Sequence, residues 1–237
     1  MAAFDDLLTL QNHDSAADRL RHRRDSLPER AELQSRRAAY DELEHRRQEV
    51  TERRDAELRE ERRLDDEVRG LEAKAKAEDS RMYSGTISSP RELQAMQADI
   101  DQLRRLARER EDEELEVMMR REALDTEVAE LEAAQAALVA EMNTLVADIE
   151  KQEAEIDAEL AVEEEGRAGL VPSIPEATLR LYEQIRAGNQ GIGAARLVGM
   201  NCQACHLALP ATEVDRIRHL PPDELARCDH CGAILVR

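Results

Sequence analysis

The four cysteines of this chain form two C-x-x-C pairs, Cys202-Gln203-Ala204-Cys205 and Cys228-Asp229-His230-Cys231, with twenty-two residues between them. A C-x-x-C turn carries both sulfurs to one side of the backbone. Two such turns supply four thiolates, a closed tetrahedral set for one Zn2+. A closed set leaves no position for water or substrate, so a zinc ion on Cys202, Cys205, Cys228 and Cys231 builds structure and performs no chemistry. Cys202 to His206 also reads formally as C-x-x-C-H, the c-type haem attachment pattern, but that use leaves Cys228 and Cys231 unexplained. A thioredoxin-like redox pair needs a βαβ context that is absent here. His206, His219 and His230 lie near the cysteines, and four thiolates already complete the site. Paired C-x-x-C turns read as metal ligands where thiols stay reduced. The acidic start, Met1-Ala2-Ala3-Phe4-Asp5-Asp6, lacks the basic and apolar regions of a signal peptide, so a cytoplasmic location is expected.

The elements around the cysteines read as a zinc ribbon. Ala195-Arg196-Leu197-Val198-Gly199 is a β-like run leading into the first pair, and Ala233-Ile234-Leu235-Val236 is another leaving the second. The insert, with Glu213-Val214-Asp215-Arg216-Ile217 at its centre, predicts a short helical turn. So small a module has little core, and its metal must contribute much of the folding energy.

Upstream the chain is of another kind. Charged residues make up 37% and aromatics 2%, with no tryptophan, a composition that favours long helices over a compact globule. From Leu93 the apolar positions keep a three–four spacing through Ile100, Val117, Leu124, Val128, Leu131 and Ile149 to Ile156. Arg110, Glu114, Arg121, Gln135 and Gln152 are polar entries on the same seam. A seam this narrow is a coiled-coil stripe and predicts a helix from about Pro90 to about Glu165. Leu43, Val50, Leu64, Val68, Leu71 and Ala75 mark a weaker seam before it, and Phe4, Leu7, Leu10, Ala17 and Leu20 an earlier one.

The turn-forming segment from Ser84 to Ser89 joins two helices closely enough for antiparallel packing. Ser26-Leu27-Pro28-Glu29 predicts a kink. The fold expected is mainly α with a small β part. Residues 1–166 form a long kinked antiparallel coiled-coil hairpin with its tip near 83–89 and its kink near 26–28. Residues 167–193 form a linker and short helix, and 194–237 a four-cysteine zinc ribbon. Between Glu122 and Glu165 there are fifteen acids and one base, Lys151. The pairs Arg23-Arg24, Arg36-Arg37, Arg46-Arg47 and Arg53-Arg54 should face that stretch and set the register.

These features resemble a bacterial family that joins an N-terminal coiled-coil hairpin to a C-terminal C4-type zinc ribbon, formerly a domain of unknown function. Leu7-Leu8-Thr9-Leu10-Gln11 is similar to the family's opening. The segment from Met82 to Gln94 resembles its hairpin tip, and Cys231-Gly232-Ala233-Ile234-Leu235 its ribbon. The resemblance implies zinc on the four cysteines and a non-enzymatic adaptor or chaperone-like role, binding other proteins or nucleic acid. Ala233 and Val236 stand where a basic residue and an aromatic are common.

The net charge of −19 disfavours wholesale attraction to nucleic acid or an anionic membrane, and no stretch is long and apolar enough to cross a bilayer. Paired catalytic carboxylates in a cleft, a nucleophile motif and a phosphate loop are all missing, so neither catalysis nor a small-molecule substrate is expected. Met82, Tyr83 and Ile87 are apolar residues at a tip that needs only turn chemistry, which makes them candidates for docking a protein partner. The ribbon's Arg196, Arg216, Arg218 and Arg227 are the candidates for nucleic-acid contact.

Overall fold

The computed structural model describes residues 2–221 and 224–237, with side chains from Asp5 onward. The side chain of Phe4, counted in the first seam, and residue Pro222 of the insert lie outside the described ones. Three long helices come first: α1 (Ala2–Asp25), α2 (Pro28–Met82) and α3 (Pro90–Leu170), followed by a 3-10 turn at Val171–Ser173 and α4 (Glu176–Gly188). The ribbon consists of β1 (Ala194–Val198), β2 (Asn201–Cys202), α5 (Ala211–His219), β3 (Ala226–Arg227) and β4 (Ile234–Val236). Among the described residues, no helix is long and apolar enough to cross a membrane.

The long helices form the expected hairpin. The kink near 26–28 takes the form of a two-residue interruption between α1 and α2. Pro28 has no N–H to give and its ring excludes the carbonyl four residues back. That carbonyl, on Arg24, accepts instead from the Arg30 guanidinium at 3.3 Å. At the other end Gly85, at φ 73°, takes the left-handed conformation that stops α2, and the Ser84 hydroxyl donates to the carbonyl of Arg81.

The chain divides into two compact units, residues 33–144 and residues 1–32 with 145–237. In the first, α2 and α3 meet along a thin seam of Val50, Leu64, Val68, Ala75, Ile100, Ala107, Val117, Leu124, Val128 and Leu131. Among the polar seam positions, Arg110, Arg121 and Gln135 find partners across it. Buried Gln135 donates to Glu44 at 2.8 Å, and Arg121 donates to Glu61 at 2.8 Å. Arg36, Arg46, Arg47 and Arg54 face Glu141, Glu127, Glu132 and Asp125, the pairing expected of the acidic stretch.

In the second unit Arg21, Arg23 and Arg24 meet Glu164, Glu159 and Asp157 in the same way. The last turn of α3 runs to Leu170, five residues past its expected end, because Leu170 and Val171 pack against the cluster of Leu7, Leu10, Ile174, Tyr182, Ile185, Ala194 and Ile234. The stretch 167–193, expected as a linker and short helix, therefore carries part of a core.

The sheet order is β2-β1-β4-β3. Each knuckle sits on a short antiparallel pair, β1 with β2 and β3 with β4, and the two pairs join through parallel β1 and β4, with Ala194 opposite Ile234 and Ala195 opposite Leu235. Alternation along the strands sends Ala194 and Ile234 into the cluster with α1 and α4. It sends Ala195 and Leu235 into a second cluster with Cys202, Cys228 and the α5 residues Val214 and Ile217.

Candidate metal centre

The two knuckles share one backbone pattern. In the first, the N–H of Cys202 donates to the carbonyl of Leu207 at 3.1 Å, and the N–H of His206 to that of Cys202 at 2.8 Å. In the second, Cys228 donates to Ala233 at 2.9 Å and Gly232 to Cys228 at 2.8 Å. The residue after the second cysteine must turn left-handed in both: His206 has φ 59° and Gly232 φ 73°. Glycine adopts this freely, whereas His206 carries a steric cost.

Among the described residues the four cysteines are the one group of potential metal ligands that converges, with all four sulfurs within 4.8 Å of one another. Cys202 and Cys231 stand 3.8 Å apart, as do Cys205 and Cys228. A tetrahedron with Zn–S bonds of about 2.3 Å has edges of about 3.8 Å, so the sulfurs fit one zinc ion. Cys202 and Cys228 are buried and the other two half-buried. Burial pushes the Cys202 thiol up and the Cys231 thiol up to about 12, while the N–H of Leu207 holds Cys205 low. Zinc must displace these protons, so its affinity falls as pH falls. The cofactor is one structural zinc. His206, His219 and His230 are exposed and outside the ligand set.

The four ribbon arginines are exposed but do not form a common groove of free guanidinium groups. Arg216 is held by Glu213, Arg218 reaches the carbonyl of Gly199 at 3.3 Å, and Arg227 that of Gly232 at 3.2 Å. Arg196 stands on β1 with its side chain exposed. At the tip, Tyr83 is 77% exposed, and Met82 and Ile87 are half-buried. Other large apolar side chains left to solvent include Leu115 and Met119 on α3, and Val198, Met200 and Leu207 on the ribbon.

Sequence reasoning missed the polar group beside the ribbon. Asp14 is 3% exposed and accepts from the Tyr182 hydroxyl at 2.6 Å and from Arg167 at 2.8 Å. Burial and the Asp14 carboxylate push the Tyr182 hydroxyl up. Arg167 also pairs with Glu183, and Arg186 with Asp18 at 2.6 Å. Gln11, 6% exposed, binds the start of β1. The signal was present: Gln11 and Asp14 interrupt the stripe Leu7, Leu10, Ala17 at helical spacing, and polar groups on a buried stripe need partners.

Residues 10–190 match the CT398-like coiled coil hairpin domain, and residues 201–235 the C4-type zinc ribbon domain. Two strains of Mycobacterium tuberculosis each carry an uncharacterized protein 30% identical over 231 residues, covering 98% of this chain and 94% of the relative. A solved structure from Mycobacterium smegmatis is similar at 30% identity and a TM-score of 0.72, covering 100% of this chain and 98% of its own. CT398 from Chlamydia trachomatis, at 15% identity, aligns with a TM-score of 0.55 over 99% of this chain and 97% of its own. The HP0958 protein from Helicobacter pylori, at 16%, aligns with a TM-score of 0.52 over 99% and 96%. At those identities the last two bear on the fold alone.

Proposed function

This chain belongs to the CT398-like coiled-coil hairpin family, and from that premise we propose that it is a non-enzymatic, cytoplasmic, zinc-binding adaptor or chaperone-like protein that holds protein partners through its coiled-coil arm and its ribbon. The observation that carries the reading is Tyr83, the most exposed of the described large hydrophobic side chains, standing at the turn between α2 and α3 beside Met82 and Ile87. A turn there needs only Gly85 and the serines, so an aromatic ring left in water points to a contact made with another molecule.

Two further observations support the absence of catalysis. The zinc ligand set is closed. The open groove of about 570 Å³ beside α1, lined by Ser15, Asp18, His22 and Gly191 among others, holds no activated nucleophile. Its Ser26 hydroxyl donates to the backbone carbonyl of His22, and its Asp18 is engaged by Arg21 and Arg186.

Nucleic acid is the less favoured ligand, because three of the four ribbon arginines are spent on groups of their own module and no aromatic platform accompanies them. The test is affinity capture of the tagged chain from native lysate, with and without nuclease, beside a Tyr83→Ala/Ile87→Ser variant. Protein partners that survive nuclease and are lost from the variant are expected. Partners that vanish with nuclease, together with recovered RNA or DNA, would replace this reading with nucleic-acid binding.

A further inference from the structure

Gln11 is buried on α1 and spends its amide on the backbone at the start of the ribbon. Its Oε1 accepts from the N–H groups of Gly193 at 2.7 Å and Ala194 at 3.2 Å, and its Nε2 donates to the carbonyl of Gly191 at 2.9 Å. One side chain thus does for the first residues of β1 what a neighbouring strand would do. One turn on, Asp14 takes the Tyr182 hydroxyl and Arg167. Leu7 and Leu10, both fully buried, share one apolar cluster with Ala194 and Ile234.

The sheet that α1 grips depends on the metal. β1 lies just before the first knuckle and β4 begins three residues after Cys231. The two antiparallel pairs meet through the parallel β1–β4 contact, the cysteines and the small apolar cluster completed by α5, with the N–H of Ile234 donating to the carbonyl of Gly193 at 2.9 Å. A parallel pair of so few residues is weak by itself, and the zinc ion closes it from the knuckle side. At the opposite end α1 closes it from the Gly193 side.

We propose that zinc binding and docking of α1 are thermodynamically coupled: α1 is a strap over the metal-braced sheet, Gln11 is its positioning residue, and each half raises the affinity for the other. Coupling of this kind is reciprocal, so it is read from both directions. The proposal does not depend on which partner the protein holds.

Hydrogen–deuterium exchange on the full chain gives the first direction. Removal of zinc by a chelator is expected to strip protection from the amides of residues 7–14 and to leave those of residues 33–144 unchanged. Full protection of residues 7–14 in the zinc-free protein overturns the proposal. The second direction is the rate at which zinc passes to a chromogenic chelator. Gln11→Met keeps the length of the side chain and removes its three hydrogen bonds to the backbone at the start of the ribbon, together with one to the Ser15 hydroxyl at 2.8 Å. Release is expected to quicken on the order of tenfold, in line with the loss of several hydrogen bonds. Val50→Ala, in the other compact unit, is expected to release at the wild-type rate. An unchanged rate in a Gln11→Met protein of native helicity overturns the proposal. A Gln11→Met chain that does not fold leaves the exchange experiment on the unaltered protein to decide.

Discussion

Residues 33–144 and the unit built from 1–32 with 145–237 are held together by opposite means. In the first, each turn of α2 touches only the turn of α3 beside it, and the same contact repeats: an apolar seam residue, then charge pairs at its flanks. Its stability is spread thinly over a long seam, so any one layer matters modestly. The second unit keeps that repeat only where α1 runs along the end of α3, and its remainder is built otherwise. Two apolar clusters lie on opposite faces of a small sheet, a buried carboxylate ties three helices, and four cysteine sulfurs converge to within 4.8 Å of one another. There the contacts are few, long-range and mutually dependent. A repetitive seam tolerates local loss, whereas a small metal-braced core fails as a whole.

Loss of the metal should divide the two most sharply. Cys228→Ser, or a strong chelator, is expected to remove the sheet and the protease resistance of residues beyond Gly193 while helicity of 33–144 persists. Unchanged resistance of that segment would erase the contrast.

Next in size come paired core truncations. Leu10→Ala and Leu64→Ala each remove a fully buried side chain and should cost about 2–5 kcal/mol by denaturant unfolding. Only Leu10→Ala should also speed zinc release, and equal zinc retention in the two variants would show that the units are braced alike.

Acid should act on the seam in a graded way. Hydrogen bonds from Arg47, Gln135 and Gln48 hold Glu44 at about 2. A carboxyl depressed in the folded state stabilises fully above its unfolded pKa of about 4.3, and the contribution disappears as pH falls toward 2. Melting of the 33–144 helices, followed by circular dichroism between those limits, should fall less steeply for Glu44→Gln than for wild type.

The smallest effect is a gain. His206→Gly relieves a left-handed non-glycine residue and should stabilise the zinc-loaded ribbon by on the order of 1 kcal/mol. A loss of stability would mean that the imidazole itself contributes to the knuckle.

Much of this was legible in the residues. Leu124, Val128 and Leu131 declare a helical stripe whatever lies opposite, and Ser84 to Ser89 declare the turn that brings the opposite helix back. The pairing of Arg46 with Glu127 and of Arg54 with Asp125 follows once that turn is placed. The role of α1 was not legible to the same degree. Its stripe of Leu7, Leu10 and Ala17 reads equally well as the first stretch of the hairpin seam. In the structure Leu7 and Leu10 serve the ribbon, while His13, Asp14 and the residues after them lie along the end of α3. Gly193 is another case: a Cβ there would meet the Tyr182 ring at 2.5 Å, a constraint invisible until α4 lies against β1.

By itself the sequence determined what depends on spacing between near neighbours: the helices through their three–four periodicity, the breaks through Pro28 and Gly85, and the zinc ligands through two C-x-x-C turns that prearrange their own sulfurs. The tertiary structure alone decided what depends on residues far apart in the chain. It chose the parallel pairing of β1 with β4, the grip of Gln11 on Gly193 and Ala194, and the burial of Asp14 beneath Tyr182 and Arg167. The physical reason is that a local pattern fixes which face of an element is apolar, while the partner for that face is set by the competition among all faces that must leave water together.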